Sequence, residues 1–395
     1  MGESAHLDVV VIGAGPAGLA AALACRKSGF DAAVAGTSKT ASAEASKGRS
    51  AALFNQSVAF LQEIGVWEAC SNSAEPLRAL QFIDDTGRLF RAPDCAFHAR
   101  EIEEPVFGYS ISNWDLSRAL RAEVQRQDIP VLEPGRLKTL DSEGSRARVL
   151  FENGTELRAP LIIAADGRKS AAREAAGIRA VSWSYGQTAL AASFSHERAH
   201  NGICIEFHRQ GGPLTLIPLP GNRSSFVWSE RSPEAERLLA LDDGSFVSEL
   251  EEASHFVLGR ISSVSERGGF PLSALMVREY GRARTAVAGE AAHAAPPIGA
   301  QGLNLGLRDV ETLVSLIRNA KENGEDIGGD KLLRTYSASR RGDVVSRTLG
   351  LDLLNRSVLS GFLPLQAARG LGLYALGTVG PLRRAFMRRG IAPAR

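Results

Sequence analysis

The chain begins with two apolar runs of different character on either side of a glycine-rich turn. Residues 8–12 (DVVVI) are mostly β-branched, which favours a buried strand. Residues 13–18 (GAGPAG) form a glycine- and proline-rich turn, and residues 19–27 are rich in Ala and Leu, which favour helices. The pattern therefore predicts a strand, a tight turn and a helix that ends at Gly29.

Two later segments repeat this order. Residues 161–167 (LIIAADG) predict a buried strand that ends near Asp166, and residues 285–293 (TAVAGEAAH) predict another that ends near Gly289 and Glu290. The glycine-punctuated loop after the second strand is predicted to become a helix, because apolar residues then recur at helical spacing. These residues are Leu303, Leu307, Val310, Leu313 and Ile317.

Between the repeated segments the pattern changes. Residues 203–230 predict short strands separated by Gly, Pro and Asn turns, which is typical of an antiparallel sheet. Strands alternate with helices elsewhere, so the fold class is predicted to be α/β.

Composition and charge narrow the class of protein. With 395 residues, 44% hydrophobic and 23% charged, the chain is typical of a soluble globular protein with about two or three packed units. A formal charge of +2 gives no reason to expect nucleic acid as a partner. The four cysteines are far apart and have no histidine at zinc-ligand spacing, so no metal is predicted. Reduced cysteines and the absence of room for a signal peptide before residue 8 predict a cytoplasmic protein.

The glycines of the first turn have the spacing of a dinucleotide site. Gly13 permits the tight turn, Gly15 leaves room for a pyrophosphate at the helix N-terminus, and Gly18 lets helix and strand pack closely. The second strand of such a unit usually ends in an acid that binds the adenosine ribose. Gly36 stands at that position, so one ribose contact is missing or supplied from elsewhere, and Gly36→Glu is expected to tighten binding if the backbone there is not left-handed.

Other polar residues near the predicted strand ends have more than one explanation. Asp166 and Ser170 are typical of helix caps. His293 lies in an Ala-rich turn, and we interpret it as a buried, hydrogen-bonded structural histidine rather than a catalytic one. The N-terminus of the helix after residue 300 directs a positive dipole at an electron-rich group, such as the N1 side of a reduced flavin.

In combination, GAGPAG, Asp166-Gly167-x-x-Ser170-x-x-Arg173 and Gly289-Glu290 resemble the class A flavin monooxygenases of the para-hydroxybenzoate hydroxylase fold. Finer features at residues 183–189 (WSYGQTA), 270–272 (FPL) and 300–309 (AQGLNLGLRD) resemble the ubiquinone-biosynthesis hydroxylase subfamily. The resemblance runs from about residue 8 to about residue 345, and the order of the motifs is more specific than any single motif.

The resemblance implies a Rossmann-like FAD-binding domain interleaved with a β-sheet substrate domain, followed by C-terminal helices. The FAD-binding domain would comprise residues 1–75, 106–182 and 276–335, the substrate domain residues 76–105 and 183–275, and the helical region residues 336–395. Glu290 replaces the usual Asp of the family pattern. The residues that the resemblance assigns to the cofactor are Gly13, Gly15, Pro16, Ala17, Gly18, Arg49, Asp166, Gly289, Glu290, Pro297, Gly302, Leu303 and Asn304.

The implied activity is hydroxylation of a prenylated phenol in ubiquinone biosynthesis, with FAD, O2 and a C4a-hydroperoxyflavin. No second nucleotide motif follows a strand, so a separate NAD(P)H domain is not predicted. The electron donor stays open and would be NAD(P)H or a redox partner protein. No catalytic residue is identified. Two alternatives stay open: a class A hydroxylase of another aromatic substrate, and a catalytically weak accessory protein that binds a quinone precursor within a biosynthetic complex.

The C-terminal tail adds a further hypothesis. No acidic residue follows Asp352, and arginines are spread among apolar residues, with Arg383, Arg384, Arg388 and Arg389 clustered. Residues 358–380 contain too many polar residues and glycines to span a bilayer easily, so we expect reversible contact with the inner face of the membrane, where a prenylated substrate would lie. The alternative is a helix packed on the FAD-binding domain with a solvated arginine face.

Overall fold

The structure is a computed structural model, and it describes residues 6–37, 48–88, 91, 93–297, 299, 301–359, 372, 374–375 and 378–388. In the described residues the strands are β1 (Val9–Ile12), β2 (Ala32–Ala35), β3 (Ser50–Phe54), β4 (Ala74–Leu77), β5 (Ala79–Asp84), β6 (Cys95–His98), β7 (Gly108–Ser112), β8 (Val131–Leu132), β9 (Leu137–Glu143), β10 (Arg146–Phe151), β11 (Glu156–Ala159), β12 (Leu161–Ala164), β13 (Ala180–His196), β14 (Ile203–His208), β15 (Pro213–Leu219), β16 (Arg223–Arg231), β17 (Ile261–Val264), β18 (Gly268–Val277), β19 (Gly281–Arg282), β20 (Thr285–Val287) and β21 (His293–Ala294).

The α-helices are α1 (Pro16–Lys27), α2 (Asn55–Glu63), α3 (Trp67–Cys70), α4 (Asn113–Arg126), α5 (Ala171–Ala175), α6 (Ser232–Ala240), α7 (Asp243–Ala253), α8 (Gln301–Glu322), α9 (Asp330–Leu359) and α10 (Gly380–Phe386). Short 3₁₀ helices lie at Ser71–Ser73, Ala99–Ile102 and Gly289–Ala291.

A six-stranded sheet carries the three segments that the sequence singles out. Its order is β19-β20-β12-β1-β2-β8, and β1, β12 and β20 run parallel as neighbours. These strands are buried on both faces, which explains their continuous apolar runs. Because parallel neighbours end at the same edge, the turns after β1, β12 and β20 lie side by side, with α1 and α8 packed close by.

A nine-stranded sheet forms the second large element. It has the order β21-β18-β13-β16-β15-β14-β5-β6, with β17 paired to β13. The short strands predicted in residues 203–230 are confirmed as β14, β15 and β16. One face of this sheet packs on α6 and α7 through a cluster that includes Phe226, Trp228 and Phe246. The opposite face, which we call the front face, lies against the small sheet β3-β7-β4.

The C-terminal helices contact different parts of the molecule. Helix α9 packs on α8 and β19. At α10, the fully buried Met387 just after the helix packs in a cluster with Phe97 of β6, and Arg383 makes a bidentate pair with Glu101 of the 3₁₀ helix Ala99–Ile102. Most of residues 358–380 lie outside the described residues. Among the helices of the described ranges, none is long and apolar enough to cross a membrane.

Candidate cofactor site

The turn after β1 is built from glycines that interlock. Gly13 has a φ of +115°, and a Cβ on it would lie 2.3 Å from the carbonyl oxygen of Ala165. A Cβ on Gly18 would lie 1.9 Å from the carbonyl oxygen of Gly13. Both contacts are shorter than any real Cβ allows, so the backbone approach needs glycine at each position. The strand, turn and helix that the sequence predicts are confirmed.

Gly15 and the start of α1 have the opposite property, because space is left open there. Among the described residues, a Cβ on Gly15 would meet no atom within 4 Å. Gly15 is the N-cap residue and Pro16 the first helical residue, and no side chain of the described part of the chain caps the helix. Free backbone N–H groups and the positive end of the helix dipole therefore face open space, which fits the pyrophosphate of FAD.

The turn after β12 is held by helix capping. The Asp166 carboxylate accepts a hydrogen bond from the Ser170 hydroxyl and another from the backbone N–H of Ala172 at 3.1 Å. Ser170 in turn caps α5 by accepting from the backbone N–H of Arg173 at 2.9 Å. The Asp166 backbone also borders Gly13. Capping thus accounts for the Asp166 side chain, and its contact with the cofactor stays a prediction.

The turn after β20 joins the first turn directly. Gly289 has a φ of +62°, and a Cβ on it would lie 3.0 Å from Cβ of Ala17. On its other side, a Cβ on Gly306 would lie 3.1 Å from Cα of Gly289. Gly289 therefore sits where α1 and α8 converge, and a side chain there would be strained by the positive φ and tight against Ala17.

Three charged side chains gather beside this turn. Glu290 is exposed, and its Oε1 accepts hydrogen bonds from Nε and Nη2 of Arg168 at 3.3 and 3.2 Å. The Arg49 guanidinium lies 4.3 Å from the centroid of the Phe270 ring. Partial desolvation lowers the pKa of Arg49, and the charges of Glu290 and Arg168 act on it in opposite directions. The Glu290 carboxylate has a cationic partner in the protein, so its contact with the ribityl or phosphate region stays a prediction.

A buried ionic network also stabilises the turn after β20. Asp309 is fully buried, and its carboxylate accepts from Nε2 of His293 at 2.6 Å, from the backbone N–H of Gly289 at 2.9 Å and from Nε of Arg340 at 2.7 Å. Burial alone would raise the pKa of Asp309, but His293 and Arg340 hold it below its ordinary value. His293 is buried and hydrogen-bonded, as the structural interpretation expected.

The network continues along α9. Asp343 pairs with Arg340 at 3.1 Å, with Arg308 at 2.9 Å and with Arg347 at 2.7 Å. Burial would raise the pKa of Asp343, and the hydrogen bonds from Arg347 and Arg308 lower it well below the ordinary value. Helix α9 is thereby fixed to α8.

The first turn of α8 combines open and anchored residues. Gly302 is exposed, and a Cβ there would meet no described atom within 4 Å, whereas Leu303 packs on the core. Pro297, before the helix, is exposed. Asn304 is buried, and its side chain donates to the carbonyl of Ala52 at 2.8 Å and accepts from the backbone N–H of Phe54 at 2.9 Å. The Asn304 amide therefore anchors α8 to β3, which leaves the exposed backbone near Gly302 for a ligand.

Gly36 is packed more tightly than the sequence suggests. Its φ is not left-handed, but a Cβ there would lie 2.7 Å from the backbone nitrogen of Ala14. An added side chain would displace the first turn. We therefore expect Gly36→Glu to weaken FAD binding in a fluorescence titration, contrary to the expectation from the sequence.

Several residues of this site had no role assigned from the sequence. Arg168 and Arg340 were not singled out, whereas Asp309 and Arg173 stood in quoted motifs without a role, and the buried guanidinium of Arg173 donates to the carbonyls of Arg168 and Ala291. For Asp309 a signal existed, because it lies four residues from both Leu305 and Leu313 on the apolar face of α8. A charge on such a face needs a buried partner.

Comparisons with known proteins agree with this geometry. A family model described as FAD binding domain matches residues 6–349. The chain is 34% identical over 384 residues to the ubiquinone hydroxylase UbiL of Rhodospirillum rubrum, covering 96% of this chain and 88% of that protein. It is 29% identical over 384 residues to the 3-demethoxyubiquinol 3-hydroxylase of Escherichia coli, covering 95% of this chain and 96% of that protein.

A solved structure shows the same fold. Klebsiella pneumoniae HpxO, crystallised with FAD and uric acid, superposes with a TM-score of 0.78 at 21% identity, covering 98% of this chain and 97% of that one. The converging turns, the open N-terminus of α1 and these matches agree on one cofactor, FAD. The chain belongs to the FAD-binding-domain family and, within it, to the class A monooxygenases related to the ubiquinone-biosynthesis hydroxylases.

Proposed function

We propose that this FAD-dependent monooxygenase hydroxylates a prenylated phenol, using O2, in ubiquinone biosynthesis. The observation that supports the proposal most is the convergence of the turns after β1, β12 and β20 at one sheet edge, next to the front face of the nine-stranded sheet. Similarity to the ubiquinone hydroxylases over nearly the whole chain supports the substrate class.

The residues have distinct roles in this proposal. Bound FAD would supply the activation of O2. Gly15 and the first turn of α1 would bind the pyrophosphate, and the exposed backbone near Gly302 would lie at the flavin ring. Arg49, held over Phe270, would place a positive charge beside the site where negative charge develops. The Asp309 network would keep the Gly289 turn in position.

The arrangement of the sheets would serve to exclude water. Ser50 at the start of β3 bonds Ser225 on the front face, and Ser110 on β7 bonds the carbonyl of Pro218. These contacts close the small sheet onto the large one beside Arg49. A ring held between them would be shielded from solvent, which favours oxygen transfer over loss of peroxide. The interleaved domain division predicted above is part of this proposal. The electron donor would be NAD(P)H or a redox protein.

A prenylated substrate would be met at a membrane surface. Arg383 is committed to Glu101, so a reversible contact with anionic lipid would use Arg384 and Arg388, next to the exposed Leu382. Co-sedimentation with anionic vesicles tests this contact. Binding that weakens with salt and in the Arg384→Ser/Arg388→Ser variant supports it, and no binding at low salt refutes it.

Two observations favour a second function. The missing acid at Gly36 and the Glu290–Arg168 pair would weaken FAD binding, as in an accessory protein that only holds a quinone precursor. A lost charge-assisted hydrogen bond costs roughly 1.5 to 3 kcal/mol, which loosens a cofactor about tenfold or more without removing the site.

Oxygen uptake decides between the two functions. The FAD-loaded protein is reduced without oxygen, mixed with isotopically labelled O2 and ortho-prenylphenol, and the product is analysed by mass spectrometry. The hydroxylase predicts one labelled oxygen atom in the ring. Formation of hydrogen peroxide alone, with the phenol bound but unchanged, would indicate the accessory protein.

A further inference from the structure

A buried pair of ionisable side chains on the front face has no part in the cofactor site. Nε2 of His208 lies 2.9 Å from Oε1 of Glu206, and the Thr215 hydroxyl donates to Oε2 of Glu206 at 3.2 Å. Glu206 is 4% exposed and His208 is 2% exposed. Burying two such groups costs desolvation free energy that even their pairing need not repay, so their presence in a sheet interior suggests a role beyond packing.

The pair lies on the same face as the residues beside the cofactor site. Glu206 is opposite Thr215 on β15 and Phe82 on β5, whereas its neighbours Ile205 and Phe207 point into the cluster under α6 and α7. Register across the sheet places His208 in one row with Phe270, through β15, β16 and β13. Phe270 is the ring over which Arg49 lies.

The second nitrogen of His208 is available for a ligand. Within the part of the chain that the structure describes, Nδ1 of His208 makes no hydrogen bond. A carboxylate that accepts from Nε2 favours the tautomer with its proton on Nε2, which leaves a lone pair on Nδ1. A histidine so oriented accepts a proton, and the carboxylate stabilises the resulting cation.

We propose that His208, supported by Glu206, takes the proton from the hydroxyl of the phenol substrate. The O–H bond breaks, the proton moves to Nδ1, and the electron pair stays on the oxygen as a phenolate, whose ring is more reactive toward an electrophilic oxygen. This inference rests on the proposed function and adds the residues that would touch the substrate hydroxyl.

Among the residues that the structure describes, titratable groups on β5, β14 and β6 lie near the pair. Asp84 is opposite His208 on β5, and its Oδ1 accepts from the Thr86 hydroxyl. Cys204 lies two residues before Glu206, and desolvation raises its pKa, with the charge of Glu206 adding to the effect. Beyond Phe82 lies Cys95, which receives a contact from Arg383 of α10.

The test measures the ionisation of a bound phenol and its hydroxylation. Ortho-prenylphenol is added to FAD-loaded wild type, His208→Gln and Glu206→Gln, and the ultraviolet difference spectrum reports the phenolate. His196→Gln is the matched control, because His196 is an equally buried imidazole in the same sheet with both ring nitrogens bonded, to the Ser224 hydroxyl and the Arg198 carbonyl. Flavin content and thermal midpoint check folding.

The proposal predicts a phenolate band at pH 7 with wild type and with His196→Gln, and none with the other two variants, although phenol in solution ionises only near pH 10. Single-turnover hydroxylation by those variants should be about 100-fold slower at pH 7 and rise about tenfold per pH unit, as the free phenolate replaces the base. The spectrum of wild type alone is a sufficient test. If the phenol binds to wild type at pH 7 but stays neutral, the proposal is wrong.

The two proposals fail in different ways. If wild type hydroxylates the phenol and both variants keep its rate and pH profile, the role of His208 and Glu206 is wrong and the proposed function stands. If wild type neither binds nor hydroxylates the phenol, the proposed function fails first.

Discussion

The turn after β1 and the turn after β20 touch each other through Ala17 and Gly289, yet different forces hold them. The first turn is fixed by backbone packing, with Gly13 and Gly18 in contacts that exclude a side chain. The second is fixed by the Asp309 carboxylate, which bonds the Gly289 N–H, His293 and Arg340. The glycines that shape the first turn lie within one short segment, whereas the second turn depends on residues from two distant helices.

The difference has a functional meaning. A turn made of backbone alone exposes N–H groups to a phosphate, since no side chain competes for them. A turn supported by buried charges can carry an exposed acid such as Glu290 while keeping its shape. We therefore expect the stability of the second turn to depend on charge and pH, and the stability of the first turn to depend on side-chain volume.

The largest effect is expected for Asp309→Asn, which removes the fully buried charge that pairs with Arg340 and leaves Asp343 as the remaining carboxylate partner of Arg340. Removing one member of a buried ion pair costs about 3 to 5 kcal/mol, so unfolding by denaturant should begin at clearly lower concentration. Glu325→Gln is the control, because Glu325 and its partner Lys331 are both exposed and should contribute about 0 to 1 kcal/mol. Equal losses in the two variants would contradict the comparison.

The same carboxylate predicts a pH dependence. The folded pKa of Asp309 is lowered, so its contribution to stability is present above the unfolded pKa of about 3.9 and is lost as the pH falls through the folded value. Wild type should lose more stability than Asp309→Asn between pH 5 and the acid range, measured as thermal midpoints. Parallel midpoint curves would argue against an ionised Asp309.

Gly18→Ala should have the next largest effect. Its Cβ would lie 1.9 Å from the Gly13 carbonyl oxygen, and overpacking of this kind costs about 1 to 3 kcal/mol. Gly342→Ala in α9 is the matched control, since a Cβ there meets nothing within 4 Å and Ala favours a helix. We expect a lower thermal midpoint for the first variant and an equal or higher one for the second. The opposite order would refute the packing argument.

Gly15→Ala separates cofactor binding from folding. The protein has room for this methyl group, so the thermal midpoint without FAD should not change. The methyl group would instead occupy the approach to the α1 N–H groups, and FAD affinity should fall about tenfold, or about 1.4 kcal/mol. Calorimetric titration measures it, and unchanged affinity would place the pyrophosphate elsewhere.

The smallest effect is expected for Glu290→Gln. Its partner Arg168 is 37% exposed and Glu290 itself 55%, so the pair should stabilise the fold by about 0 to 1 kcal/mol. A loss above 2 kcal/mol in denaturant unfolding would show that this exposed pair supports the second turn as strongly as Asp309 does.

The two turns also differ in how far the sequence predicts them. The first follows from the spacing of Gly13, Gly15 and Gly18 between a strand and a helix, because the contact between Gly13 and Gly18 is local, although the approach of Gly13 to Ala165 is not. The sequence predicts where the second turn lies but not what stabilises it. Arg340 lies 31 residues after Asp309 and pairs with it only because α9 packs on α8. The Glu206–His208 pair was missed for a similar reason, as its significance depends on which face of a large sheet it occupies.

The most direct test of the account is a titration of FAD into the apoprotein. Wild type should quench flavin fluorescence to saturation and gain thermal stability, and Gly15→Val should keep the apoprotein midpoint while losing both responses. Saturating FAD that produces neither quenching nor a thermal shift in wild type would contradict the account.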